Sequence, residues 1–179
     1  MKFILTAVSA AAALCAVSGA AQAQTAAPTG VYGTLGYADT HSDGTDLGVL
    51  QGRLGYRIIP NAGVEAEGAF GVKNDDIHAG DITGRAKLDH QVAIYGVGFL
   101  PLSDKADLLA RVGYGNTKVK VSALGQSASS DSDSWNFGVG GQYHFDGKNG
   151  VRVDYTREEF TKDDVGHADV YSVAYTRRF

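Results

Sequence analysis

The chain has 179 residues, which favours a single domain, and its formal net charge of −4 offers no basic surface for nucleic acid. It contains 24 glycines and nine tyrosines against three prolines and one methionine, a composition that favours twisted β structure over helix. The one cysteine, Cys15, lies in the first 23 residues, so the rest of the chain has no cysteine for a disulfide.

The first 23 residues have the pattern of a secretory signal peptide. A positive charge at Lys2 precedes an apolar run, and the segment ends in small residues at Ala23. We therefore predict cleavage between Ala23 and Gln24, which leaves residues 24–179 as one mature domain. That domain has no apolar stretch long enough for a membrane helix, so it can span a membrane only as a β-barrel.

The mature chain alternates with period two almost throughout, which predicts strands. In one clear case, Val64, Ala66 and Phe70 share a face, while Glu65 and Glu67 lie on the opposite face. Eight such segments are predicted, in chain order, at residues 30–39, 46–59, 62–73, 84–100, 106–121, 133–145, 150–160 and 171–179.

Two of the predicted strands depart from simple alternation. In the fourth strand both faces become apolar after Ile94. In the fifth strand the alternation slips near Gly115, since Val119 falls on the opposite parity from Val112; a glycine-associated bulge would explain the slip, but the sequence does not give its position.

The connections between the predicted strands alternate in kind. Short turn-rich links follow the second, fourth and sixth strands, and longer polar loops follow the first, third, fifth and seventh. One of these loops, residues 122–133, is rich in serine and aspartate. Tight turns at one end and longer loops at the other are typical of a bacterial outer-membrane barrel.

Alternation does not by itself say which face is outside. A soluble barrel of the lipocalin kind has its apolar face inside, and a membrane barrel has it outside. Glycine and alanine recur on the charged face, as a narrow lumen requires, and no helical segment follows the signal. Aromatic residues near the strand ends also favour the membrane barrel, with Phe70, Trp135 and Tyr171 toward the loops and Tyr56, Phe145, Tyr175 and Phe179 toward the turns.

The chain ends on an aromatic residue in mid-strand. The pattern Tyr171, Val173, Tyr175, Phe179 resembles the C-terminal strand signature of bacterial outer-membrane proteins, although Arg177 departs from the usual apolar residue. The whole mature chain resembles the small eight-stranded, porin-like barrels of the OmpA/OmpX type.

This resemblance implies an all-β, eight-stranded antiparallel up-and-down barrel in the outer membrane of a Gram-negative bacterium. It also implies that the outer-membrane assembly machinery reads the last strand, which pairs with the first. We expect a monomer surrounded by outer-membrane lipids and lipopolysaccharide.

With the apolar face outward, the lumen contains six basic and five acidic side chains. This near balance predicts a neutralising ion-pair network that fills the barrel, because unpaired buried charges are costly and eight strands leave little space. The alternative is a thin water path lined by these charges. The predicted lumen residues are Arg53, Arg57, Glu65, Glu67, Arg85, Lys87, Asp89, Arg111, Arg152, Asp154 and Glu158.

No catalytic, cofactor-binding or metal-binding residue is predicted. His41, Ser42 and Asp43 have the residue types of a hydrolase triad, but they are adjacent in a polar loop, whereas a triad is assembled in space. We therefore expect a non-enzymatic protein that contributes to envelope integrity or surface interaction, the latter through the loops. The alternatives are a narrow passive pore for small solutes and a soluble, lipocalin-like ligand carrier.

Overall fold

A computed structural model describes residues 29–42, 45–72, 75–79, 82–123, 126–161 and 166–179. The predicted signal peptide, with Ala23 and Gln24, lies outside these residues. The strands of the described part are β1 (Gly30–Ser42), β2 (Thr45–Ile59), β3 (Ala62–Gly71), β4 (Asp75–Ala79), β5 (Ile82–Pro101), β6 (Ala106–Ala123), β7 (Gln126–His144), β8 (Asn149–Phe160) and β9 (His167–Arg178).

These strands form one closed antiparallel barrel. Each strand pairs with its neighbour along the chain, except that β3 pairs with β5 and not with β4, and β9 pairs with β1, so that Tyr32 lies opposite Arg178. Both β3 and the short β4 pair with β5, so the barrel wall has eight strands, as predicted. In the part of the chain that the structure describes, no helix has the length and apolarity needed to cross a membrane.

The barrel has its apolar face outside and its polar face inside. Leu54 and Ile94 are 62% and 65% exposed, whereas their neighbours Arg53 and Tyr95 are buried. A soluble protein would not expose a continuous apolar surface of this kind. The alternative of a soluble, lipocalin-like carrier is therefore wrong, because its apolar residues would line the interior.

Aromatic side chains border the outward apolar surface at both ends. Tyr114 and Trp135 pack edge to face, with ring centroids 5.4 Å apart, toward the longer connections. Phe145, ten residues beyond Trp135, is equally exposed at the turn end. Ten residues of strand span about 34 Å, which at a tilt of about 40° corresponds to an apolar band of about 25 Å.

The last strand presents its signature residues to the outside. Tyr171, Val173, Tyr175 and Phe179 are all exposed, and Phe179 donates its backbone N–H to the Val31 carbonyl at 3.0 Å. The strand therefore pairs with both β1 and β8 and leaves no free edge at the junction of the two chain ends.

One local prediction is wrong. Residues 122–133 are predicted to form a loop, but β6 continues to Ala123 and pairs with β7 from Gln126, which makes a long hairpin. The pairings of β6 run without a shift past Gly115, so there is no bulge there; the register shift lies between Leu88 and His90 in β5. Val119 therefore lies on the same inward side of β6 as Arg111. The apolar residues change side along the sequence because this part of the hairpin lies beyond the outward apolar surface.

Two inward glycines make room for tyrosine rings in the lumen. A Cβ on Gly55 would collide with the ring of Tyr32, and a Cβ on Gly113 would collide with the ring of Tyr95. Each ring therefore lies across a neighbouring strand, which lets an eight-stranded barrel hold large side chains inside.

Substitution Gly113→Ala should destabilise the barrel by about 1–3 kcal/mol, because the added methyl overpacks the lumen against Tyr95. The matched control is Gly68→Ala, since a Cβ on Gly68 meets nothing within 4 Å. Urea unfolding in lipid vesicles measures the difference. Equal midpoints for the two variants would contradict this account of the glycine.

The turn between β7 and β8 is organised around Asp146. Its carboxylate accepts hydrogen bonds from the side chain and backbone N–H of Asn149, at 2.7 and 2.6 Å, and from the Lys148 N–H at 3.0 Å. These bonds, the Asn149 side chain first among them, lower the pKa of Asp146 from 3.8 to about 2. The stabilisation is therefore fully present above about pH 4 and is lost as the pH falls through about 2.

Substitution Asn149→Ala should raise the pKa of Asp146 toward 3.8, because the side-chain donor is removed. A pH titration of the Asp146 carboxyl carbon by NMR measures the shift. Asn61→Ala is the control, because its amide bonds the Phe99 carbonyl in another turn. An unchanged pKa in the Asn149 variant would assign the effect to the backbone donors alone.

Candidate functional site

Six charged side chains form an alternating ring inside the barrel, here called the charge ring. Each of its three arginines contacts two carboxylates, and each carboxylate contacts two arginines, so the six formal charges sum to zero. In order around the ring, the members are Arg53, Glu67, Arg111, Glu65, Arg152 and Asp154.

One side of the charge ring joins opposite walls of the barrel. Arg152 on β8 binds Glu65 on β3 through both terminal nitrogens, at 2.5 and 3.2 Å. Strands β3 and β8 are four positions apart in the closed order, which is the full diameter of an eight-stranded barrel. Arg152 also donates to Asp154 at 2.9 Å. This side-chain contact therefore spans the lumen at this level.

The other side of the charge ring is centred on Glu67. Arg53, its direct cross-strand partner, donates to it at 2.7 Å, and Arg111 donates to the same oxygen at 2.9 Å. Arg53 also reaches Asp154 at 2.6 Å, which closes the ring toward β8. Charge-assisted hydrogen bonds of this length are the stronger class, and all of them are buried.

Neutral side chains satisfy much of the remaining hydrogen-bonding capacity. Tyr32 donates its hydroxyl to Glu65 at 2.8 Å, and Tyr95 donates to Glu67 at 3.2 Å. The Arg111 guanidinium also lies 4.4 Å from the centroid of the Tyr95 ring, a cation–π distance. Buried ion pairs are stable only when such additional contacts compensate for lost hydration.

A second charged cluster lies nearer the turn end of the lumen. Arg57 binds Asp107 through two nitrogens, at 3.0 and 3.2 Å, and Arg178 binds the same carboxylate at 2.8 Å. Gln142, the cross-strand partner of Asp107, donates to it at 2.8 Å. Two arginines share one carboxylate, so this cluster carries a formal charge of +1.

Apolar side chains occupy the same level of the lumen. Tyr32, Tyr95, Val97, Phe99 and Leu109 form a buried cluster, which explains why both faces of the fourth predicted strand are apolar after Ile94. The inward residues of that strand pack against each other and not against lipid. This apolar cluster lies beside the second charged cluster, with the Arg57 guanidinium 4.2 Å from the centroid of the Phe99 ring.

Glu158 does not belong to the charge ring. It lies between the ring and the longer connections, and its environment differs from that of the ring's carboxylates. It is buried, and its contact among the described residues is a 2.6 Å hydrogen bond from Gln91. No described cation lies within ion-pair distance of it. Nearby polar atoms on the inward face, the hydroxyls of Thr117 and Ser134 and the Asn136 carbonyl oxygen, also have no protein partner among the described residues.

The structure brings together most of the predicted lumen residues, with three exceptions. Asp89 lies at the register shift in β5, its side chain is 30% exposed, and it lies 3.5 Å from the His90 imidazole and outside the charge ring. Arg85 and Lys87 belong to residues 82–88, whose side chains fall outside the described part.

Sequence analysis missed Asp107, Arg178 and the two lumen tyrosines. Asp107 is on the parity of Arg111, and Arg178 is on the parity opposite the outward Tyr175, so alternation alone identifies both as inward. Arg177 instead lies outside, with its guanidinium 5.8 Å from the centroid of the Phe179 ring.

The triad-like residues do not form a catalytic arrangement. His41 is exposed and its ring lies 5.9 Å from the Tyr171 ring, while Ser42 donates its hydroxyl to the His167 carbonyl at 3.0 Å. Asp43 lies outside the described residues. Within the described residues, no three histidine, cysteine or acidic side chains gather as a metal site.

Comparison with known proteins gives a consistent result for the fold. A family model described as the outer membrane protein beta-barrel domain matches residues 9–179. A search of curated protein sequences gives no significant match.

Solved structures share the architecture at low sequence identity. The attachment invasion locus protein Ail of Yersinia pestis, solved with the heparin analogue sucrose octasulfate, is 20% identical with a TM-score of 0.62, covering 84% of this chain and 99% of Ail. Neisserial surface protein A is 12% identical with a TM-score of 0.62, covering 83% and 96%. The N-terminal barrel of Pseudomonas aeruginosa OprF is 8% identical with a TM-score of 0.57, covering 83% and 99%.

Removing the charge of a buried glutamate should affect the stability of the barrel differently according to whether the residue belongs to the charge ring. Glu67→Gln should destabilise the barrel by about 3–5 kcal/mol, because it leaves Arg53 and Arg111 undercompensated. Glu158→Gln should leave stability unchanged or raise it, since its carboxylate lacks a described cation partner and the amide oxygen still accepts from Gln91. Urea midpoints in lipid vesicles compare the two, and equal losses would contradict the assignment.

Proposed function

Since the chain belongs to the outer membrane protein beta-barrel domain family and resides in the outer membrane, we propose that it is a non-enzymatic barrel with a closed lumen. Its role is to contribute to envelope integrity and to present its outer hairpins at the cell surface. The charge ring is the observation that carries this proposal, because the Arg152–Glu65 contact crosses the whole diameter of the barrel.

The outward surface supports a role embedded in lipid. Its apolar band matches the thickness of an outer membrane, and aromatic residues border both ends. Above the band the outward face becomes polar and charged, with Lys118 lying 3.9 Å from Asp131 and Arg157 lying 2.5 Å from Glu159. Basic side chains at this level are suited to the phosphates of lipopolysaccharide, our proposed neighbour in the outer leaflet.

The β6–β7 hairpin supports a role at the surface. It continues for nine residues on each strand beyond Tyr114 and Trp135, which corresponds to about 30 Å of extended chain. We propose that this hairpin is the surface available for interaction. Biogenesis would proceed through the outer-membrane assembly machinery reading Tyr171, Val173, Tyr175 and Phe179, and the folded protein would be a monomer.

A narrow pore is the second candidate function. It is favoured by the hydroxyls of Thr117 and Ser134 in the part of the lumen nearer the longer connections, which have no partner among the described residues, because such groups bind water when no protein partner is present. Passage through the whole barrel would require the charge ring to open.

Single-channel recording in a planar bilayer separates the two candidates. The folded wild-type protein should give no discrete conductance, because the charge ring closes the lumen. Glu65→Ala should introduce steps or raised leak current, since it removes the contact across the diameter. The control is Leu54→Ala on the outer surface. Reproducible steps from the wild type would overturn the closed-lumen proposal and favour the pore.

A further inference from the structure

The lumen contains a cavity at its turn end, below the charge ring. Its volume is about 40 Å³, and its lining includes Arg57, Gln142, His144, Thr176, Arg178 and Phe179. A single water needs about 10–15 Å³, so the cavity has room for about three waters or one small oxyanion. Phe179, which is 72% exposed on the outer surface, is one of the lining residues.

Polar side chains in this cavity have unused hydrogen-bonding groups. Both ring nitrogens of His144, the hydroxyl of Thr176 and the side-chain oxygen of Gln142 are buried and have no partner among the described residues. His144 and Thr176 are each only 1% exposed. Buried polar groups in folded proteins almost always have a partner, so these groups indicate an occupant of the cavity.

The charged side chains around the cavity determine whether an anion or a cation is the favoured occupant. Arg57 uses four of its five donors, because it donates to both oxygens of Asp107 and twice to the Pro60 carbonyl. Arg178 uses one terminal nitrogen on Asp107, which leaves most of its five donors available. Asp107 already accepts from both arginines and Gln142, so the side chains of the cluster, apart from the main-chain carboxylate of Phe179, carry a formal charge of +1. An anion is therefore favoured over a cation.

We propose that this cavity binds a phosphate oxyanion, held by Arg178 with the imidazole of His144 and the hydroxyl of Thr176. Guanidinium, imidazole N–H and hydroxyl donors suit phosphate oxygens, and Arg178 supplies the charge. The cavity rim also includes Val31 and Phe179, which face the lipid. The phosphate therefore comes either from solution or from the headgroup of a phospholipid in the leaflet at the turn end.

Two adjacent arginines provide a matched test. Arg178 faces the cavity, whereas Arg177 lies outside against the Phe179 ring. The protein is folded in phosphate-free dodecylmaltoside and titrated with inorganic phosphate at constant ionic strength, with backbone amide and His144 imidazole signals followed by NMR. Saturable shifts should centre on His144, Thr176 and Arg178. Arg178→Gln should weaken binding at least tenfold, and Arg177→Gln less than twofold.

A nearly isosteric variant protects the test against misfolding. Thr176→Val removes the unpartnered hydroxyl at nearly constant volume and should weaken phosphate binding about threefold or more. Circular dichroism and thermal unfolding check that each variant is folded. Equal weakening by the Arg177 and Arg178 variants would assign the effect to net charge and overturn the site.

A lipid arm of the experiment identifies the source of the phosphate. The protein is placed in nanodiscs of phosphatidylglycerol without added phosphate, and the same signals are compared with those in dodecylmaltoside. If the signals of His144 and Thr176 shift in nanodiscs, and Arg178→Gln abolishes these shifts, the cavity binds a lipid headgroup. Shifts only on addition of inorganic phosphate would assign it to the free anion. If neither response is observed, water alone fills the cavity and the proposal is wrong.

Discussion

Removing a guanidinium from water costs several kcal/mol unless carboxylates surround it, and Arg53, Arg111 and Arg152 each contact two carboxylates inside this barrel. Because each carboxylate also serves two arginines, no member can be removed without leaving a neighbour undercompensated. The arrangement fixes the relative positions of β2, β3, β6 and β8, which are the strands that carry it. The charge ring thus replaces the apolar core of a soluble domain.

That interior explains the distribution of small and large residues. A lumen eight strands wide holds long side chains only where the facing residues are small. Glycines such as Gly55 and Gly113 therefore lie beside the rings of Tyr32 and Tyr95, whose hydroxyls then reach Glu65 and Glu67. The apolar side chains that would build a core elsewhere lie on the outside, where lipid covers them.

The lumen is not uniform along its length. Its middle contains ion pairs whose formal charges sum to zero, its part nearer the longer connections contains the carboxyl of Glu158 beside hydroxyls that have no partner among the described residues, and the charged side chains at its turn end sum to +1. Only at the middle level does each charged side chain of the network contact two of opposite sign.

Alternation with period two was enough to establish the strands, the lumen-facing set around Arg53 and Glu67, and the exposed C-terminal signature, because side chains in a strand point to opposite faces whatever the partner strand. The same rule also identifies Asp107 and Arg178 as inward-facing, although the predicted lumen residues did not include them. It could not locate the register shift at Asp89, or the continuation of β6 to Ala123 and of β7 from Gln126, because register and hairpin length depend on pairing between strands. Which carboxylate meets which arginine, and the cavity beside His144, were decided only by barrel closure, since β3 meets β8 only across a closed lumen.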